Sequence, residues 1–114
     1  MAGSFETSDG HGSVHLRPIR VPTRKEDIFR EALEMVDALE AWELVSQDPA
    51  TCTIVCRRPG GLMSGAADIT VRVDGPDGIP SSTVHVKSVS QSGLRSRDKA
   101  NVLEFVKPFT RRVC

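Results

Sequence analysis

The stretch Asp68-Ile69-Thr70-Val71-Arg72-Val73-Asp74-Gly75-Pro76-Asp77-Gly78, followed shortly by Thr83-Val84-His85-Val86-Lys87-Ser88-Val89, decides the fold class. Ile69, Val71 and Val73 alternate with Thr70 and Arg72, and Val84 and Val86 alternate with His85 and Lys87. A period of two marks a strand with one buried and one solvated face. Between the two runs, Pro presets a turn while Gly and Asp tolerate positive φ. The pair reads as neighbouring antiparallel strands. Upstream, Thr51 to Arg57 repeats the pattern, with Cys52, Ile54 and Cys56 on one side and Thr53, Val55 and Arg57 on the other. Trp42 to Gln47 reads as one more strand, stopped at Asp48-Pro49.

The period changes to 3.6 on both flanks. Ile28, Phe29, Ala32, Leu33, Val36 and Leu39 form a stripe that predicts a helix over about 24–40. Thr23-Arg24-Lys25-Glu26 before it has the form of a capping box. Val102, Leu103, Val106 and Phe109 predict a last helix that starts near Ser96 to Asp98, with Pro108 ending or kinking it. Residues 1–13, rich in Gly, Ser, Thr and Asp, read as a mobile tail. Val14 to Val21 reads as an extended or edge segment, so residues 14–114 form one domain. The predicted class is α+β, in the order α-β-β-β-β-α. It is a four-stranded antiparallel meander with two helices packed on one face.

Composition narrows the function classes. The 114 residues carry 15 Lys+Arg and 15 Asp+Glu, so there is no net charge to draw in nucleic acid or an anionic membrane. Nucleic acid is further disfavoured by few stacking rings: no Tyr, one Trp and four Phe. No apolar run approaches the ~20 residues of a membrane span. Met1 to Asp9 has neither the basic nor the apolar region of a secretory signal. Cys52 and Cys56 lie four apart on one predicted strand, roughly 13 Å and too far for a disulfide. A reduced, cytoplasmic protein with unpaired thiols follows.

Chemistry has few places to sit. Arg57, Arg72 and Lys87 share outward parity on three strands, with His85 beside them. Such a face can take a phosphate or carboxylate, or simply be solvated. With Val55 and Val89 also outward, it can instead bury itself against a second copy as a homodimer. Pro59-Gly60-Gly61-Leu62-Met63-Ser64-Gly65 lacks the Gly-Lys-Ser/Thr ending of a phosphate loop. Its apolar tip, Leu62 and Met63, suits core cover or a partner. His11 and His15 have no third ligand nearby, so no metal and no cofactor is expected. No Gly-x-Ser-x-Gly elbow and no carboxylate pair stands out, so no catalytic residue is assigned and the reading leans away from an enzyme. A small ligand pocket between helices and sheet is a third possibility.

The residues Asp68-Ile69-Thr70-Val71-Arg72-Val73, then Lys87-Ser88-Val89-Ser90-Gln91-Ser92-Gly93, then Asp98 and Asn101, form a recurring pattern. It resembles domain-of-unknown-function family 1499 of bacteria and plastids. That family carries an aspartate-led D-x-x-V-R-V strand, an R-S-x-S-R-x-G segment, and Asp and Asn entering the last helix. The resemblance implies no activity. It implies that Lys87, Ser88, Ser90, Gly93, Asp98 and Asn101 cluster where the fourth strand meets the last helix. A helix N-terminus with nearby hydroxyls can hold an anion. The same residues can equally cap the helix and tie down its loop. The leading expectation is a non-enzymatic module binding a small anion or a protein.

Overall fold

The computed structural model describes residues 3–60, 66–90 and 98–113. Its elements are β1 (Gly3–Glu6), a 3-10 turn (Val14–Leu16), β2 (Ile19–Val21), α1 (Lys25–Ala38), β3 (Glu43–Asp48), β4 (Thr53–Arg58), β5 (Ala67–Asp74), β6 (Ser82–Ser90) and α2 (Asp98–Val113). The fold is α+β. The sheet runs β1-β6-β5-β4-β3, with β2 also on β6, and every pairing is antiparallel.

The β3-β4-β5-β6 meander matches the alternation in the sequence, since Ile54, Cys56, Ile69, Val71, Val73, Val84 and Val86 are all buried. α1 packs on β3 to β6 and α2 on β6, β1 and β5, so both helices lie on that inner face. Their stripes meet it through Ile28, Ala32, Val102, Phe105 and Phe109. No helix among the described residues is long and apolar enough to cross a membrane.

One strand was not anticipated. The segment 1–13, expected as a tail, instead supplies β1, which pairs Gly3–Glu6 with Lys87–Ser90. Gly-Ser-Phe-Glu has no strand pattern of its own; an unpaired ladder on β6 gives it one. Phe5 packs against the core. Thr7 then stitches the segment down. Its N–H donates to the Val86 carbonyl at 3.0 Å, and its hydroxyl accepts the Val86 N–H at 3.1 Å. β2 fulfils the edge reading of Val14 to Val21, with Ile19 and Val21 buried and Arg20 exposed.

Three local expectations change. Arg24, not Thr23, stands at the N-cap of α1 and makes no side-chain cap bond. The Thr23 carbonyl accepts a 2.7 Å bond from the Ser82 hydroxyl instead. α2 continues through Pro108 to Val113. Proline removes one helical bond, and the buried Phe105, Val106 and Phe109 on either side hold the helix in line. Cys52 lies before β4, not in it, at φ 52°, a left-handed turn position that usually favours glycine or asparagine. Its carbonyl accepts the Val73 N–H at 2.9 Å, which locks the turn to β5.

Candidate functional site

The outer sheet face gathers the predicted cations. Arg72 lies opposite Thr53 and His85, Lys87 opposite Thr70, and Arg57 opposite Asp68. The same parity brings in Asp68 and Asp74 of β5, and strand register adds Glu6 and Glu43. The Arg72 guanidinium binds the Asp74 carboxylate, and His85 Nε2 lies 3.1 Å from the same group. Lys87 faces Glu6 of β1, and Arg57 faces Glu43 of β3. The face therefore alternates in sign, and an anion approaching any one cation also meets a carboxylate.

The residues at the β6–α2 junction do come together. Ser88 and Ser90 continue the inward parity of Val84 and Val86, which aims their hydroxyls at the start of α2. Both donate to Asp98 Oδ1 at 2.7 Å. Asn101 Nδ2 donates to the Ser88 hydroxyl at 3.2 Å. Ser88, Ser90, Asp98 and Asn101 are all buried, whereas Lys87 points to the other face. Asn101 Oδ1 is buried without a hydrogen-bond partner among the described residues. The hydroxyls expected to greet an anion are spent on an internal one, Asp98. The cluster pins the first turn of α2 to β6. Ser92, Gly93, Ser96 and the Leu62–Met63 loop tip lie outside the described residues.

Chemistry beyond binding finds little support here. Among the described residues no group of three His, Cys, Asp or Glu could hold a metal. Ser88 has no histidine partner, because His85 has the opposite parity on the same strand. Burial pushes the Cys56 thiol up to about 12, so it is a core group and not a nucleophile. The space between helices and sheet is filled: Phe105, Phe109, Val102, Ile54 and Ile69 are 0% exposed. Surface depressions include an open groove of about 370 Å³ beside Arg20, Pro22 and Pro80, a smaller, more enclosed one of about 190 Å³ by Val14 and Pro18, and one of about 110 Å³ between α1 and β3.

The last of these borders a surface that sequence reasoning missed. All six residues of β3 are exposed. Leu44 lies opposite the buried Cys56, on the helix side, yet it is 49% exposed because α1 does not reach over it. Val45, 60% exposed, sits at a register shift between Leu44 and Ser46, a β-bulge. Leu33, Val36, Asp37, Trp42 and Leu44 line the groove. Trp42 is held there by its indole N–H, which donates to Glu104. That carboxylate also takes Arg58 Nε at 3.1 Å, and the indole stacks on Phe105 with centroids 6.0 Å apart. The signal was in the sequence. The first strand of a meander is an edge, and adjacent Leu44 and Val45 break a strict alternation.

No family model and no curated protein matches the sequence. Solved structures do share its shape. The chain is similar to the crystal structure of Ara h 8.0201, with 12% identity, a TM-score of 0.61, and 99% of this chain and 98% of that one covered. It is similar to the Zhui aromatase/cyclase from Streptomyces sp. R1128, with 9% identity, a TM-score of 0.57, and 98% and 86% covered. It also resembles the di-domain ARO/CYC BexL of the BE-7585A biosynthetic pathway, with 11% identity and a TM-score of 0.53, over 99% of this chain and 41% of that one. The architecture is a helix grip. At these identities the likeness shows the fold alone.

Proposed function

We propose that this chain is a non-enzymatic binding domain whose partner is a protein, docked at the β3 edge. One observation carries this reading: β3 ends the sheet with all six residues exposed, with Leu44 and Val45 on it, beside a groove lined by Leu33, Val36, Asp37, Trp42 and Leu44. A strand edge presents unpaired backbone N–H and C=O groups, and another strand satisfies them best. The small-anion alternative has less support, because Arg72 and His85 share Asp74 and Lys87 faces Glu6.

Trp42 is the single tryptophan and lines the groove, so its emission reports on occupancy. Extended peptides with alternating apolar residues are expected to shift that emission saturably. Phosphorylated and carboxylate metabolites are expected to bind nowhere. Saturable metabolite binding that Arg72→Glu and Lys87→Glu abolish, with no peptide effect, would restore the anion reading.

A homodimer is the second reading. Through the outer face it would desolvate Arg57, Arg72 and Lys87 together with Glu6, Asp68 and Asp74, a costly exchange. A monomer by sedimentation at micromolar concentration removes it.

A further inference from the structure

The β3 edge has a charge as well as a shape. Asp37 lines the groove, Glu40 follows α1 on the way to β3, and Glu43 and Asp48 stand at the two ends of β3. None of these four carboxylates makes an ion pair among the described residues. Several acids elsewhere are paired: Glu31 and Glu34 by Arg112, Asp77 by Lys25, Asp9 by Arg20. Around the exposed Leu44 and Val45 the carboxylates of Asp37, Glu40 and Asp48 stand close together, with Glu43 beside Arg57.

We infer that the β3 edge takes a short, basic, extended peptide segment of another protein, added as a further strand. This rests on the protein-docking reading above and names the chemistry of the partner. An apolar side chain of the incoming strand would enter the groove over Leu44 and Trp42. Its Lys or Arg side chains, alternating with the apolar ones, face outward and meet Glu43 and Asp48.

A second copy of this chain fits poorly. Antiparallel self-pairing centred between Val45 and Ser46 sets Glu43 against Asp48 twice, and like charges directly opposite destabilise a strand pair. The bulge at Val45 also breaks the edge into two short runs, which discourages long flat self-assembly while leaving room for a short strand.

The test uses the whole chain and three synthetic peptides, read by Trp42 emission and by backbone amide NMR shifts. The peptides are acetyl-Lys-Val-Lys-Val-Lys-amide, the same peptide with Glu for Lys, and the Lys peptide N-methylated at alternate residues. The Lys peptide is expected to bind, with shifts centred on Glu43–Asp48. Binding is expected to weaken about tenfold in Asp37→Lys/Glu43→Lys and to fall as salt rises, as screened charge requires. The Glu and N-methylated peptides are expected not to bind. Leu44→Ser, which keeps every charge, is expected to weaken binding without changing its salt dependence.

Equal binding of Lys and Glu peptides overturns the basic partner and leaves edge docking standing. Undiminished binding of the N-methylated peptide overturns strand addition. No binding by any peptide overturns both readings. A dimer that Val45→Lys dissociates assigns the edge to a second copy and overturns the inference. Thermal melts that match the parent chain confirm that each variant is folded.

Discussion

At β6 the sheet is closed by two further strands and stitched by Thr7, whereas at β3, among the described residues, it stops with six exposed residues and no further strand. Both are ends of the same meander and both began as bare ladders. The β6 end was sealed with residues of little strand character, because hydrogen-bonding an open edge requires only backbone. The β3 end was left with apolar side chains and unmatched acids. A protein that can recruit four residues such as Gly-Ser-Phe-Glu to cover one edge has the means to cover another, so the bare edge reads as a working surface.

If the contrast is real, substitutions at the sealed end should be costly and those at the bare end nearly silent. The largest loss should come from Asp98→Ala, which strips the shared acceptor from two buried hydroxyls and unpins α2 from β6. About 2–3 kcal/mol in urea unfolding is expected, because buried donors are left unsatisfied. Thr7→Val removes the acceptor for the buried Val86 N–H and should cost about 1–2 kcal/mol in the same measurement.

A pH effect lies between the extremes. The fold holds the Cys56 thiol at about 12 against an ordinary 9.0, so folding favours the protonated form. Its contribution is complete below pH ~9 and is lost as pH rises from there towards ~12, where the unfolded chain gives up its proton first. Cys56→Ala should flatten that alkaline decline, and iodoacetamide should label Cys56 only after unfolding. The smallest effect is expected at the bare edge. Leu44→Ser should change stability by no more than about 0.5 kcal/mol, since the side chain is half exposed. A loss of 2 kcal/mol or more there, on the order of a core truncation, would mean that β3 is structurally necessary and that the contrast between edges is false.

The sequence made some of this legible and hid the rest for physical reasons. The alternation at Ile69, Val71, Val73, Val84 and Val86 is a local property of a half-buried strand, so it could be read directly. β1 could not, because its strandness comes from a partner more than eighty residues away. The helix through Pro108 needed knowledge of the packing on Phe105 and Phe109. On the outer face the cations were visible by parity, and so was Asp74, two residues beyond Arg72 on the same strand, though its bond to Arg72 was not. Glu6 and Glu43 sit on strands whose register no spacing reveals. At the β6–α2 junction Ser88, Ser90, Asp98 and Asn101 were correctly placed together. What they do to one another, donating inward to a buried carboxylate, depends on distances that only the fold supplies.

The pairing of β1 with β6 also orders events during synthesis. Gly3 to Glu6 are made more than eighty residues before Lys87 to Ser90, so the seam between them cannot close until both are free of the ribosome. Until it does, the Lys87–Ser90 end of β6 lacks its partner strand and the Thr7 hydroxyl has no amide to accept. For that interval this end of β6 is as bare as β3.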